Sequence, residues 1–573
     1  MYLRRCYRLK DGKRHAYWAL VESRRTASGP RQHVVAYLGG LGEEERAGIQ
    51  SAADPPSQAQ RNLFADTEPA WVTVDVNRIR VERSLAFGGV WLGQQILAKL
   101  GLVEFLAAVM ERGREKISWP AMALVLVLGR LSDPSSELHL AEQSYEASAL
   151  ADLLGIPAEK VNDDRLYRTL DRLLPHKAAL EKHLKTSLGN LFELEYDLLL
   201  YDVTSTYFEG QAKANPQAKR GYSRDHRPDC KQVNIALVVS RHGLPLGYEI
   251  FDGNRHDSTT VESIVKAMEK QYGKASRIWV MDRGMASEDN LEFLQKDERR
   301  YILGTAKGML KRFEQELTAK DWQQVHEGLE VRLCPAPGGK EVFILCRSAE
   351  RRQKEQAMHR KFESRIEEGL QKIAASCEKK KQSPVQVAER VGRLMGQNTR
   401  AAKLFATTVT QDTAGRAHLS WSKLAAWRDW ASLSEGCYLL RSNVTDWSGE
   451  ELWRAYVQLT EAESAFRIQK SDLTLRPVWH QREDRVQAHI LVCFLTYIVW
   501  KTLGRMCHQA GLGDEPRKVF EQLQQIRIVD VVLPTRSGVE IRRRCVTRPS
   551  EHQAILLQRL GLHLPENLPF SGM

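Results

Sequence analysis

The sequence predicts a mixed α/β protein whose central sheet is interrupted by an inserted segment. Strand-like and helix-like apolar runs alternate between 196 and 310, which is typical of an α/β core. A charged stretch with one long helical pattern follows, and apolar helices return after it. These changes of pattern divide the chain into a small β-rich N-terminal region (1–80), a helical region that is a candidate DNA-end-binding domain (81–195), the first part of the core (196–310), an insertion (311–445), the last helices of the core (446–510) and a small α+β tail (511–573).

The bulk composition is that of a folded, basic protein with several domains. The chain has 573 residues, and its 42% hydrophobic and 27% charged residues exclude a largely disordered chain. A net charge of +12 is compatible with a polyanionic partner such as nucleic acid, and equally with a basic protein that has no such partner. The nine cysteines form no CxxC pair and no zinc-like cluster, which favours a reducing cytoplasm over a disulfide scaffold.

Two apolar runs are too short to cross a membrane. The runs at 119–128 and 488–500 fall below the ~20 residues that a membrane-spanning helix needs. The N-terminus, MYLRRCYRLKDGKRHAYW, has charges but no apolar core of the signal-peptide type. We therefore expect both runs to be buried core helices, and we expect no membrane association.

Strand patterns and then helix patterns occupy the N-terminal third. The runs HAYWALVES and RQHVVAYLGGL predict short strands, and helix-length apolar runs begin near residue 85. Two of these helices are joined by Gly155-Ile156-Pro157. They fit either a helix-turn-helix that presents a basic face to DNA or, more commonly, a helical hairpin packed in a bundle. The basic face would consist of Arg165, Arg168 and Arg172.

Two aspartates follow apolar strands of the predicted core. Asp202 follows the run LLLY, and Asp282 follows the run IWVM. A buried carboxylate is costly unless it is paired or binds a metal, and strand ends are where α/β folds commonly build their sites. Each aspartate alone could equally be a turn or capping residue. Together they predict an acidic site at one edge of the sheet.

A third acid lies on a predicted helix near the end of the core. With Glu463 as the origin of a helix of ~3.6 residues per turn, aromatic and basic side chains lie within about 60° of it. This face fits a metal-binding glutamate beside phosphate-binding cations, or a surface face with a Glu463–Arg467 ion pair. The rival acid Glu461 lies roughly 160° around the helix. The neighbours of Glu463 on this face are Tyr456, Leu459, Phe466, Arg467 and Lys470.

The sequence resembles the DDE transposases of bacterial insertion sequences, in the group with a Tyr-x2-Arg-x3-Glu-x6-Lys signature. Tyr456, Glu463 and Lys470 match this spacing, whereas Leu459 occupies the arginine position. The role of that arginine is therefore not transferred, and Arg467 is a candidate substitute. The resemblance extends over nearly the whole chain through the ordered segments MYLRR, PRQHVVAYLG, GYSRDHRPDCKQV, GLPLGYEIFDGNRHDS, DRGM and AFRIQKSDLTLRPVWH.

The resemblance implies an RNase-H-like catalytic core with its acids on the first strand, the fourth strand and a late helix. Asp202, Asp282 and Glu463 would bind two Mg²⁺ ions, with Mn²⁺ as a substitute, and Asp202 would bridge them. The implied reaction is cleavage of transposon ends by water, followed by joining of the freed 3′-OH to target DNA. The implied partners are double-stranded DNA, as transposon ends and target, and a second copy of the chain, in the cytoplasm at the bacterial nucleoid. Related insertions are largely β-stranded, so the long charged helix is a departure.

A set of basic and aromatic residues is expected to contact DNA. His480 could instead be a buried helix-end histidine, and the loop after Asp202 could be merely solvated. Tryptophans of the insertion are candidates for holding a flipped base, although tryptophans more often belong to a core. The candidates for DNA contacts are Tyr456, Arg467, Lys470, Arg476, His480 and Arg485 near the third acid, and Arg224, Arg227 and Lys231 in the loop; the tryptophans are Trp322, Trp421, Trp427 and Trp430.

Two other functions would use the same residues. An RNase-H-like metal-dependent nuclease would use the same acids but would not join strands. A non-catalytic DNA-binding relative would keep the basic charge and the helix pair, although the presence of all three acids argues against it. Joined products from a pre-cut DNA end would separate a transposase from a nuclease.

Overall fold

A computed structural model describes most of the chain, namely residues 2–10, 13–26, 29–39, 72–110, 117–194, 196–274, 276–413 and 415–565. The chain forms two compact units. One contains Met1–Ile79 with Leu533–Ile541, and the other contains Arg80–Val532 with Arg542–Met573. Helices of eight or more residues carry numbers below.

The first unit contains a three-stranded antiparallel sheet of β1 (Tyr2–Lys10), β2 (Lys13–Thr26) and β3 (Gly29–Gly39), in that order. The two runs that predict strands in this region coincide with β2 and β3. The β-rich character of the N-terminus therefore follows from its period-two patterns.

The second unit begins with a strand and a layer of helices. Arg165 donates to the backbone oxygen of Lys160 at 2.7 Å, and the guanidinium of Arg172 lies over the Trp119 ring. The Arg165 helix packs against its neighbours as a helix of a bundle does, and a contact of its basic face with DNA stays a prediction. The elements are β4 (Arg80–Ala86), α1 (Gly88–Lys99), α2 (Leu102–Val109), α3 (Trp119–Ser132), α4 (Asp163–Leu173) and α5 (Lys177–Phe192), with short helices at Glu137–His139 and Leu150–Leu154.

The centre of this unit is a mixed sheet with the strand order β10-β11-β12-β15-β9-β8-β5-β6-β7. Its strands are β5 (Leu198–Tyr207), β6 (Gln232–Ser240), β7 (Pro245–Asp252), β8 (Ile278–Met281), β9 (Arg300–Gly304), β10 (Gln323–His326), β11 (Leu329–Pro335), β12 (Val342–Ser348) and β15 (Cys437–Ser442); a separate hairpin is formed by β13 (Phe405–Gln411) and β14 (Ala417–Lys423).

The core strands run in both directions. β5 is antiparallel to β6 and parallel to β8, and β8 is parallel to β9. Helices α6 (Val261–Tyr272) and α7 (Glu288–Lys296) provide the crossovers between them. The predicted mixed α/β fold with a large mixed sheet is confirmed. β5 and β8, the first and fourth core strands in chain order, are neighbours, as the expected RNase-H-like arrangement requires.

The segment expected to be an insertion has two parts. Strands β10 to β12 and β15 extend the core sheet beyond β9, whereas the remainder builds a lobe with its own apolar core. The long charged helix α8 (Ala349–Lys379) buries Ile366, Leu370, Ile373 and Cys377, which are spaced by three or four residues along one edge. The lobe also contains α9 (Pro384–Gln397), the β13–β14 hairpin and α10 (Ala425–Ser434).

The last core helices differ from the unbroken helix that the sequence predicts. The chain forms α11 (Gly449–Val457) and α12 (Thr460–Arg467), and a π-helical turn at Ile468–Asp472 follows. Helix α13 (Glu483–Gln509) is long and apolar enough to span a membrane, but 78% of its most apolar window is buried in the fold. It serves as the core helix expected from its sequence.

The C-terminal tail consists of α14 (Pro516–Gln524), β16 (Arg527–Pro534), β17 (Glu540–Val546) and α15 (Glu551–Arg559), as its sequence pattern predicts. β16 pairs with β4, which sequence patterns did not indicate. The tail is thereby joined to the start of the helical layer.

The contact between α1 and α14 yields a stability test. A Cβ atom on Gly88 would lie 1.8 Å from the backbone oxygen of Leu523, and backbone cannot rotate away. We expect Gly88→Ala to lower the free energy of unfolding by about 3 kcal/mol, measured by denaturant titration. The matched control is Gly392→Ala on α9, where a Cβ meets no described atom within 4 Å. That control should stabilise the protein by up to about 1 kcal/mol, and equal effects of both variants would contradict the packing.

Candidate active site

Strand register brings the two predicted aspartates to one level of the sheet. Tyr201 of β5 lies opposite Met281 of β8 in the parallel pair. The residue after Tyr201 is Asp202 and the residue after Met281 is Asp282, so the two aspartates lie at the same level of the sheet. Because side chains alternate along a strand, both aspartates share the face opposite to Tyr201 and Met281, whose side chains belong to one core cluster. The expectation that Asp202 ends its strand is wrong, because β5 continues to Tyr207 in its pairing with β6.

Helix α12 covers the same face of the sheet and carries the third acid. It packs on β5 and buries Ala462, Ala465 and Phe466, which leaves Glu463 exposed. Glu463 and Asp282 line one cleft with a volume of about 580 Å³.

The three carboxylates also interact electrostatically. The pKa of Asp202 is raised to about 7, chiefly by burial and additionally by the negative charges of Asp282 and Glu463, while a backbone hydrogen bond from Val203 and the charge of Arg224 act in the opposite direction. The structure therefore brings the three predicted acids together.

The donor set fits hard divalent cations. Three carboxylates that repel one another provide the oxygen ligands that Mg²⁺ prefers, and a bound cation would offset the unfavourable charge on Asp202. The residues that could hold the metal are Asp202, Asp282 and Glu463. Among the described residues, the group of three potential ligands whose ligand atoms all lie within 4.8 Å of one another is a different one, the buried Glu137, His480 and His489.

That second cluster is an ion-pair network and fits a metal poorly. The Glu137 carboxylate pairs with His480 at 3.1 Å, with His489 at 3.1 Å and with Arg130 at 3.3 Å. The Arg130 guanidinium also lies 3.5 Å from Nδ1 of His489, where its charge would repel a cation. His480 is thus the buried histidine that the sequence left as an alternative, and it points away from solvent.

Tyr456 lies between the second acid and the neighbouring strand. Burial raises the pKa of Tyr456, and the charge of Asp282 raises it further. A Cβ atom on Gly304 would lie 2.5 Å from the Tyr456 hydroxyl oxygen and 3.0 Å from the backbone nitrogen of Arg283. Only glycine leaves room for the phenol at this point. Leu459, at the arginine position of the signature, lines the same cleft and is buried.

Two of the cations expected near Glu463 bind an acid of the protein instead. The π-helical turn at Ile468–Asp472 interrupts the regular helix that the expectation assumed, and it changes the direction of the side chains that follow α12. Lys470 is buried and donates to Asp225 at 2.8 Å, and Arg476 pairs with the same carboxylate. Arg467 lines a different groove. Their contacts with DNA remain predictions.

The remaining predicted cations are held by acids of the protein itself. Arg224 pairs with Asp257, and its charge lowers the pKa of Asp202. Arg227 pairs with Asp229 at 2.9 Å, and Arg485 pairs with Asp171 at 3.3 Å. Lys231 is half-buried at the end of the same loop.

Sequence reasoning missed several residues of the cleft. Its lining cations are Arg283, Lys307 and Arg351, and only Arg283 had a usable signal, because it directly follows Asp282. The tryptophan of the cleft is Trp453 on α11, whose Nε1 donates to the Tyr438 hydroxyl at 2.7 Å. The four tryptophans singled out in the insertion pack against apolar clusters instead: Trp421 and Trp427 against one, Trp322 and Trp430 against another.

Comparisons with known proteins give a match to a family and similarities to solved structures. The family described as "Transposase DDE domain" matches residues 193–499, a segment that contains all three acids. The cryo-EM structure of the piggyBac transposase synaptic complex with hairpin DNA is 8% identical, with a TM-score of 0.34 over 76% of this chain and 78% of that chain. No curated protein matches this sequence.

The raised pKa of Asp202 makes the stability of the metal-free protein depend on pH. Its folded pKa of about 7 exceeds the ordinary value of 3.8, so ionisation costs folding free energy as pH rises from about 4 to about 7. We expect Asp202→Asn to stabilise the EDTA-treated protein by about 2 kcal/mol at pH 8 and to have little effect at pH 4. Denaturant titrations measure both values. Mg²⁺ should stabilise the wild type at pH 8 but not the variant, and a gain that is equal at both pH values would contradict the carboxylate cluster.

Proposed function

We propose that this chain, which belongs to the transposase DDE domain family, is a DNA transposase that cuts the ends of an insertion sequence and joins the freed 3′-OH to target DNA. The observation that carries the proposal is the meeting of Asp202, Asp282 and Glu463 on one face of the sheet, with two of them in an open cleft. Such a cluster is costly without a cation and is typical of phosphoryl-transfer sites.

The roles of the acids follow from their positions. Asp202 lies on β5, between β8 and β6, and interacts with both other acids, so it would be the ligand shared by two cations, with Asp282 and Glu463 as the outer ligands. Two Mg²⁺ ions bound there would stabilise the attacking and leaving oxygens of an in-line displacement, and Mn²⁺ would substitute for them. Tyr456 packs on Gly304 beside Asp282 and would keep that carboxylate oriented.

Cations of the cleft would position the scissile phosphate. Arg283 follows Asp282 directly. Lys307, shortly after the end of β9, and Arg351, at the start of α8, line the same cleft. Lys307 and Arg351 both pair with the carboxylate of Glu355, at 2.6 Å and 3.2 Å. This shared partner holds the two charged groups near the cleft. Charge-assisted hydrogen bonds from such groups would bind a phosphodiester more tightly than neutral donors would.

The substrates we propose are double-stranded transposon ends and a double-stranded target. A homodimer would hold two ends together, and the protein would act in the bacterial cytoplasm at the nucleoid. The basic net charge of +12 supports a polyanionic substrate. A metal-dependent nuclease is the alternative function, and it would cut without joining.

Isosteric replacement of the acids tests the proposal. Asp202→Asn, Asp282→Asn and Glu463→Gln each keep size and remove one charged ligand. We expect each to lower cleavage by at least about 1,000-fold, on DNA that carries the sequences flanking the coding region. Gel assays of strand breakage with Mg²⁺ or Mn²⁺ measure the effect.

The matched control is Asp289→Asn, an exposed carboxylate in the first turn of α7. It should retain cleavage within about two-fold, since it removes only a weak helix-dipole interaction. Cleavage that survives the loss of any of the three acids would refute the assignment. Pre-cut ends that are never joined to a target plasmid would favour the nuclease.

The packing of Tyr456 on Gly304 provides a second functional test. Tyr456→Phe keeps the ring and removes the hydroxyl beside Asp282, and we expect about 10-fold slower cleavage. Gly304→Ala forces the phenol away, so we expect a loss of about 100-fold with an unchanged affinity for DNA. Single-turnover rates and filter binding separate the two quantities.

Gly308→Ala is the control for the glycine substitution, because a Cβ there meets no described atom within 4 Å. It should leave the cleavage rate unchanged. If Gly304→Ala were equally silent, Tyr456 would have no orienting role.

A further inference from the structure

A second groove is lined by other residues of α12 than those that line the cleft. It has a volume of about 1020 Å³ and is formed by the end of α12, the π-helical turn, the end of α13, the start of α14 and the turn between β6 and β7. The side chains that matter here are Arg241, His242, Arg467 and Arg505. None of them lines the cleft that contains Asp282 and Glu463.

Each acid of the groove has a basic side chain as its partner. Glu461 accepts from Lys501 at 2.9 Å, and Asp514 pairs with His508 at 2.7 Å. The remaining two acids are paired in the same way, Asp472 with Arg517 and Glu515 with Lys518. The charge that remains in the groove is therefore positive.

Two arginines supply that remaining charge. Arg467 is exposed, and within the described part of the chain it forms no ion pair. Arg505 lines the groove as well, and its Nε is buried without a hydrogen-bond partner among the described residues. A guanidinium carries further N–H donors on its Nη atoms, and the oxygens of a phosphate are acceptors that fit its fork geometry.

The imidazole of His242 reports the local charge. Burial lowers its pKa, and the charges of Arg505 and Arg241 lower it further, which outweighs the opposite effect of Glu461. The effect of the neighbouring charges on His242 agrees with an excess of positive charge on this side of the groove.

Helix α12 connects the groove to the catalytic cleft. Glu463 lines the cleft, and Arg467, four residues further along, lines the groove. Four residues of α-helix span about 6 Å, and a DNA strand carries one phosphate per ~3.4 Å of its axis. A strand with its scissile phosphate at Glu463 would thus bring its backbone to Arg467 within about two phosphates.

We propose that this groove binds the phosphate backbone of the DNA strand next to the cleavage point, with Arg467 and Arg505 as its phosphate contacts. The location of the cleavage point rests on the function proposed above, whereas the affinity for a phosphodiester backbone does not. Arg241 remains tied to Asp197 and shapes the wall of the groove. An acidic segment of a second copy of the chain is the other occupant that this charge could accept.

Salt dependence of DNA binding tests the groove. The full-length protein, in EDTA so that no strand is cut, is titrated with a fluorescent 30-base-pair duplex at several KCl concentrations. Each lost phosphate contact should reduce the slope of log affinity against log salt by about 1. We expect Arg467→Gln/Arg505→Gln to reduce it by about 2 and to weaken binding at least 10-fold at ~0.1 M KCl.

Two further variants keep the outcome interpretable. Arg393→Gln, an exposed arginine of α9 outside the groove, is the matched control and should leave slope and affinity within two-fold. Arg467→Glu alone alters only an exposed side chain, so a folding defect cannot explain its loss of binding. Phosphate-ethylation interference should then locate the contacts beside the cleavage point in the wild type and lose them in the double variant.

The outcomes separate this proposal from the catalytic one. An unchanged slope in the double variant, with normal DNA cleavage by the wild type, would refute phosphate binding by the groove without contradicting the transposase function. An arginine-dependent slope without any cleavage would support the groove and overturn the catalytic function. Loss of self-association in the double variant, with unchanged DNA binding, would assign the groove to a second copy of the chain and overturn the proposal.

Discussion

The parallel pairing of β5 with β8 is the constraint on which the site depends. It sets Asp202 and Asp282 at adjacent register positions and, through the alternation of side chains, on one face of the sheet. A shift of one residue on either strand would turn one carboxylate to the opposite face. Burial prevents such a shift, because β8 is buried at every position and β5 at nearly every one.

The late helices are not one regular helix, and this affects which of their side chains lie near the acids. Tyr456 and Glu463 line the same cleft from two consecutive helices, α11 and α12. The π-helical turn then directs Lys470 inward to Asp225. Positive charge near the acids comes instead from residues such as Lys307 and Arg351, which are distant in sequence.

A buried polar network holds the helical layer against the core. Arg130 of α3 donates to the backbone oxygens of Leu473 and Thr474, both at 3.1 Å, and Glu137 binds His480 and the α13 residue His489. Breaking one member of such a network leaves buried charge without a partner, which costs more than the network itself contributes. The segment between the π-helical turn and α13 is therefore held by residues that lie far earlier in the chain, as in the hydrogen bond from Thr474 to Pro134, which are 340 residues apart.

Local sequence determined much of this protein, because period and composition act over short distances. The runs around Asp202 and Asp282 were sufficient to predict buried strands, and the order of acids sufficed to predict a shared site. The tertiary structure decided which cations accompany them. A helical wheel assumes regular geometry, so it could not foresee that Lys470, in the π-helical turn, is buried against Asp225. The choice of Lys307, Arg351 and Trp453 as lining residues depends on the sheet order, which only long-range pairing sets.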